Sequence, residues 1–194
     1  MNSPGKRRLL PALVLLLIFF LPLGFAFLVY YGSNWRPTGH TNHGTLIEPA
    51  RALQRVALPR PDGMASADLL IGKWSLLYIG DGACDEACHR ALYYMHQTQL
   101  SLGNLIPRTQ RVWLASEHCC DLSADTEKDP PLLFVNAHSE AGAALLAQFP
   151  AERRESSIFI VDPRGNLMMR YDSGADPKGL REDLKKLLDL SHIG

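Results

Sequence analysis

The longest apolar run in the chain extends from Leu9 to Tyr31 and contains no charged side chain. As a helix it would measure roughly 35 Å at about 1.5 Å per residue, enough to cross a bilayer. Pro11, Pro22 and Gly24 fall inside it, and all three are tolerated in membrane helices. Lys6, Arg7 and Arg8 precede the run, whereas only Arg36 and Arg51 follow it as far as residue 51. The positive-inside rule then puts residues 1–8 in the cytoplasm and the body of the chain on the other side. The run closes on Phe25-Ala-Phe-Leu-Val-Tyr-Tyr-Gly32, too bulky for a small-x-small cleavage site. Residues 9–31 therefore read as a retained anchor rather than a cleaved signal peptide. Tyr30, Tyr31 and Trp35 would be its interfacial aromatics.

Beyond the anchor the pattern shortens to the scale of strands and surface helices. Residues 32–64 carry scattered Pro, Gly, His and Asn. They read as a linker and N-terminal extension, with Thr45-Leu-Ile and Arg51-Ala-Leu as short strands or turns. Residues 65–194 form the domain. Trp74–Ile79 is almost wholly apolar, as expected of a central strand buried on both faces. Glu86–Leu102 follows with Cys88, Leu92, Met95 and Leu102 on one helical face, and Gly103-Asn104 ends the pattern. Arg111–Ala115 reads as a second strand, which makes a parallel βαβ unit.

After a polar loop over Ser116–Pro131, Leu132–Val135 is a short apolar piece of either type. Ser139 is placed to cap a helix running to Phe149, ahead of Pro150. Ile158–Val161 is a third strand, and Asp162-Pro-Arg-Gly165 fits a type I turn into Leu167–Tyr171. Asp176-Pro177 opens a last helix with Leu180, Leu184, Leu187 and Leu188 as its apolar stripe. The order β-α-β, helix, β-hairpin, helix predicts an α/β, thioredoxin-like domain behind one N-terminal transmembrane helix.

Charge removes one class of function. Lys plus Arg and Asp plus Glu each number 20, for a formal net charge of zero. No basic stripe is interleaved with aromatics, so nucleic acid is not an expected partner. The chain has no phosphate-binding glycine loop, no Gly-x-Ser-x-Gly and no His-Glu-x-x-His. Met168-Met169 lie in a strand, where packing is the first reading and soft thioether ligation the second.

The chemistry concentrates in Gly80-Asp-Gly-Ala-Cys-Asp-Glu-Ala-Cys-His89. Cys84 and Cys88 fall where the first core strand turns into a helix. A helix N-terminus offers free N–H groups and partial positive charge, which favour a thiolate. A thiolate attacks disulfides and binds soft metals such as Cu(I). Asp85 and Glu86 oppose that stabilisation, and Arg90 partly offsets them. Further candidate metal ligands are His89, His118, Cys119, Cys120 and His138. The Cys119-Cys120 pair is also a candidate for exchange with Cys84 or Cys88, and all four cysteines in static disulfides is the structural alternative.

With these pieces placed, residues 65–190 resemble the Sco/SenC family of cytochrome c oxidase assembly proteins. The resemblance rests on Leu70-Ile-Gly-Lys-Trp-Ser-Leu-Leu-Tyr-Ile-Gly80, the Cys84-x-x-x-Cys88 spacing, the strand at 111–115, and Ile158-Phe-Ile-Val-Asp-Pro-Arg-Gly-Asn166. It implies copper held by the two cysteines and a distant histidine, and maturation of the binuclear copper site of the oxidase. In some members it implies thiol-disulfide reduction instead. Where the family's distal histidine would stand, this chain has Arg154-Glu-Ser-Ser157. His89 replaces a proline, and Ser116-Glu-His-Cys-Cys120 replaces an Asp-Pro-containing stretch. The resemblance thus implies a divergent member, anchored in the cytoplasmic (inner) membrane with its domain on the periplasmic side. Cys84 and Cys88 would be its redox and copper residues, and an oxidase subunit or another assembly factor its partner. Two other functions compete. A thiol-disulfide oxidoreductase would normally have two residues between its cysteines and a cis-proline where Ser156-Ser157 stand. A non-catalytic thioredoxin-like interaction module needs neither cysteine.

Overall fold

The structure, a computed structural model, describes residues 5–32, 41–59, 65–116, 129–174 and 176–194. The chain divides into two compact units, residues 1–41 and residues 42–194. In the first, helix α1 spans Gly5–Gly32 and includes Pro11 and Pro22. Its segment Leu10–Gly32 is long and apolar enough to cross a membrane, with none of that span buried. Trp35 lies outside the described residues.

The second unit is built on a six-stranded sheet. Its strands in chain order are β1 (Thr45–Ala52), β4 (Trp74–Gly80), β5 (Thr109–Ala115), β6 (Leu132–Asn136), β7 (Ser157–Val161) and β8 (Asn166–Asp172). A small separate ribbon pairs β2 (Leu58–Pro59) with β3 (Ala65–Ser66). The sheet order is β1-β8-β7-β4-β5-β6. β4, β5 and β6 run parallel, while β7, β8 and β1 each pair antiparallel to their neighbours. Every residue of β4 is buried, as its almost wholly apolar run requires of the strand at the middle of a covered sheet.

The two faces of the sheet divide the core by the period-2 rule. Trp74, Leu76, Tyr78, Trp113, Ile158, Ile160, Met169 and Tyr171 pack on one face, under helix α2 (Glu86–Leu100) and helix α4 (Pro177–Leu190). Leu77, Ile79, Val112, Leu114, Phe159, Val161 and Leu167 pack on the other, against Leu58, Leu145, Leu146 and Phe149. The predicted stripe of α4 lies on the core, with Leu180, Leu184 and Leu188 at most 2% exposed.

Several boundaries differ from the sequence reading. Thr45 to Ala52 is one strand rather than two fragments, because β1 is a sheet edge and an edge accepts Pro49 and a register break between Leu46 and Arg51. α2 stops at Leu100, capped by Ser101, and a 3₁₀ turn over Gly103–Arg108 leads into β5. Leu132–Asn136 is a strand. Helix α3, Glu140–Leu146, ends before Phe149, although Ser139 caps it as expected.

One buried carboxylate fixes the entry of the domain. Asp183 of α4 accepts from the His43 and Gly44 amides at 2.7 and 3.0 Å and from the Tyr171 hydroxyl at 2.5 Å. Burial first, and then Asp183, push the Tyr171 phenol well above its ordinary range. A Cβ on Gly44 would strike the Tyr171 ring at 2.4 Å, so only glycine lets the entering strand sit this close.

Candidate functional site

The site is assembled where β4 leaves the sheet. Gly82, with φ of 95°, turns the chain in a conformation that L side chains rarely adopt. Asp81 Oδ1 accepts the Ala83 amide at 3.0 Å and Asp85 Oδ1 accepts the Cys88 amide at 2.8 Å. Asp85 is the N-cap, with an extended backbone at φ −75° and ψ −176°. Cys84 is therefore outside the helix and Cys88 occupies its third helical position. The extra intervening residue of the Cys-x-x-x-Cys spacing is consumed by the cap itself.

Cys84 and Cys88 are joined in a disulfide with their Cα atoms 5.1 Å apart. Cys88 is 4% exposed and packs with Ala91, Leu92 and Met95, while Cys84 is partly buried against the same cluster. The two cysteines thus differ in burial: Cys84 is the outer residue and Cys88 the inner one.

The helix N-terminus is occupied by a carboxylate rather than left open. The Cys88 amide is bound by Asp85, so the donor expected to favour a thiolate is already used. Asp81 and Asp85 stand in the turn, and Glu155 lies two residues before β7, at the end of the sheet where Ser157 pairs with Ile79. Tyr78 reports these charges: its phenol is pushed up to about 12, first by burial and then by Asp85, Asp81 and Glu155. Below the turn, Trp113 is fully buried and receives Tyr78 and Phe134 edge-on, at ring separations of 6.2 and 5.3 Å. This aromatic layer is a stiff floor for the disulfide turn.

The segment Arg154–Ser157 does lie beside the cysteine turn. Ser157 pairs with Ile79 in register, and the Ser156 amide donates to the Ile79 carbonyl at 3.1 Å. Arg153 and Ser156 have φ of 51° and 70°. The Ser157 hydroxyl donates to the Arg153 carbonyl, and the Arg154 guanidinium donates to the Leu146 carbonyl at 2.9 Å.

The other candidate ligands divide into two groups. His89 is exposed on α2 and His138 is exposed just after β6, where its amide donates to Asn136 Oδ1 at 2.9 Å. His118, Cys119 and Cys120 lie outside the described residues. Among the described residues, no three His, Cys, Asp or Glu side chains are grouped to hold a metal ion. The donor set at the turn is two sulfurs. Once reduced, that set fits Cu(I), whose soft chemistry favours thiolates; a set completed by imidazole is not formed by the described residues. Sequence reasoning passed over Tyr78 and Glu155. Tyr78 reads as one more apolar strand position, and Glu155 comes near only through the antiparallel pairing of β7 with β4.

A mixed sheet with a parallel βαβ start, and a cysteine pair at the first strand-to-helix turn, defines a thioredoxin-like domain. The chain belongs to the family described as transmembrane-like, thioredoxin-like, C-terminal domain, which matches residues 74–191. No curated protein matches it in sequence. Among solved structures it is similar to yeast Sco1 with copper bound, at 15% identity and a TM-score of 0.59, covering 79% of this chain and 96% of that one. It is also similar to apo Sco1 from Thermus thermophilus, at 20% identity and a TM-score of 0.58, covering 77% and 99%. A third likeness is to BsSco, at 15% identity and a TM-score of 0.50, covering 76% and 99%. BsSco is described as a member of the Sco family of cytochrome c oxidase assembly proteins that contains a disulfide switch. At these identities the likeness establishes the fold, which is Sco-like as the sequence resemblance implied.

Proposed function

We propose that this chain is a membrane-anchored, Sco-like assembly factor for a copper-containing respiratory oxidase, working through Cys84 and Cys88. α1 would hold it in the cytoplasmic membrane with the domain on the periplasmic side. The observation that carries the reading is the pair itself: a disulfide across a helix cap, with an accessible outer sulfur and a buried inner one. The fold shared with a copper-bound Sco1 and with a Sco protein that has a disulfide switch supports it.

The dithiol form reduces a disulfide in the copper-site subunit. The Cys84 thiolate attacks one partner sulfur, the partner S–S bond breaks, and the released partner thiolate takes up a proton. Cys88 then loses its proton and attacks Cys84 Sγ, which frees the second partner thiol. Two electrons and two protons pass to the partner, and this chain keeps the Cys84–Cys88 bond. An external dithiol resets it. Copper enters as cargo: in the reduced protein, Cys84 and Cys88 would hold Cu(I) as a thiolate pair. The disulfide form has no such donors, so oxidation and loading exclude each other.

The test is a competitive Cu(I) titration of the reduced full-length chain in detergent, with Cys84→Ser and Cys88→Ser as controls. One equivalent bound by the wild type and lost in both variants supports the reading. Binding no tighter than in the doubly substituted chain removes copper handling from it.

A further inference from the structure

The chain enters the domain at the same end of the sheet as the disulfide. Ser157 pairs with both Ile79 and Asp172, so the C-terminal ends of β4 and β8 lie level. β1 runs antiparallel to β8, from Thr45 opposite Arg170 to Ala52 opposite Asn166. It therefore starts toward the end where β4 passes into the cysteine turn and runs away from it. The order β1-β8-β7-β4 sets three strand spacings, about 15 Å, between the entry and β4. Lys73 and Trp74, at the start of β4, mark the far end of the sheet.

The entry is locked in place. The His43 and Gly44 amides and the Tyr171 hydroxyl all donate to the buried Asp183 carboxylate. A Cβ on Gly179 would strike His43 Cβ at 2.6 Å, so α4 closes on the entering chain as tightly as the Tyr171 ring closes on Gly44. Moving the entry would strip a buried charge of its donors, which is strongly unfavourable. From Gly32, where α1 ends, to His43 the covalent chain spans at most about 40 Å when fully extended. This tether leads to the disulfide end of the domain and not to the far one.

We propose that the locked entry commits the disulfide end to partners in the same bilayer: membrane proteins whose disulfide lies close to the lipid headgroups, in preference to freely diffusing ones. This rests on the reading of α1 as an anchor and of Cys84 and Cys88 as the exchanging pair. It adds the class of partner that the pair selects. A short tether makes the encounter nearly intramolecular, with an effective concentration on the order of millimolar.

The experiment uses the reduced full-length chain, with Cys119→Ser and Cys120→Ser, in lipid nanodiscs. The probe is a pyridyl disulfide, carried on a lipid headgroup of the same disc or free in solution. The Cys84 thiolate attacks the probe, the S–S bond breaks, and pyridinethione leaves and takes up a proton; its absorbance gives the rate. Cys88 then loses its proton and attacks Cys84 Sγ, and the probe's thiol leaves with that proton. Lys73→Cys, in a chain with all four native cysteines replaced by serine, supplies a thiol at the far end. The ratio of headgroup-borne to free rate should be about fivefold higher for Cys84 than at position 73. Twelve prolines inserted after Pro37, a stiff spacer of about 37 Å, should lower the Cys84 ratio about tenfold and leave the free rate unchanged. The spacer lies outside the domain, so this arm does not depend on how the cysteine-free chain folds. Equal ratios at the two ends, or a Cys84 ratio that the prolines leave unchanged, overturns the proposal. Failure with the headgroup probe alone removes only the proposal, whereas failure with the free probe as well removes the exchange reading beneath it.

Discussion

The Asp85 carboxylate binds the Cys88 amide at 2.8 Å, so the first turn of α2 is capped from between the two cysteines. This single bond explains two features. It places Cys84 outside the helix, where its sulfur remains partly accessible. It also sets a negative charge at the point where a helix would otherwise stabilise a thiolate.

Asp85→Asn keeps the capping oxygen and removes the charge. The reduced variant should therefore have a lower thiol pKa than the wild type, by about half a pH unit or more. The pH dependence of iodoacetamide alkylation measures this. An unchanged or higher pKa would mean that the carboxylate does not act on the sulfurs.

The unequal access of the two sulfurs assigns their order. Cys88→Ser leaves the outer nucleophile and removes the group that resolves it, so a mixed disulfide with an added peptide disulfide should accumulate on Cys84. Cys84→Ser leaves only a thiol that is 4% exposed, and its adduct should form about tenfold more slowly. Mass spectrometry after timed acid quench separates the two. Equal rates would contradict the assignment.

Tyr78 gives the site a pH signature. Its pKa is raised from 10.0 to about 12 by burial and then by Asp85, Asp81 and Glu155. Folding favours the neutral phenol, so this contribution is complete below the unfolded value of 10.0 and is lost as pH rises toward about 12. The full loss is roughly 3 kcal/mol. Tyr78→Phe should flatten the decline of stability across that window, measured by denaturant unfolding at successive pH values. Tyr171 is retained in both proteins, so the difference isolates Tyr78. Parallel declines would show that the phenol is not held in this environment.

Much of the fold was legible because its signals are local. Trp74–Ile79 declares a covered central strand, Asp176-Pro177 declares a helix start, and the apolar run of α1 declares itself. Thr45-Leu-Ile and Arg51-Ala-Leu read as separate short pieces, and only a place at the sheet edge lets one strand run through Pro49 between them. The cysteine pair was legible from residue type and position. Its surroundings were not. Glu155 reaches Tyr78 only because Tyr78 pairs with Ile158 across an antiparallel junction, and that register belongs to the assembled sheet rather than to any short window of sequence.

The central claim is that Cys84 and Cys88 act together in assembling a copper-containing oxidase. The most direct measurement is the copper content and activity of that oxidase in host membranes where Cys84→Ser/Cys88→Ser replaces the wild-type chain at equal abundance. The assembled, copper-loaded oxidase should be largely lost, and excess copper or an external thiol reductant should partly restore it. Full assembly with both cysteines replaced would contradict it and would make the domain a partner-binding module that needs neither sulfur.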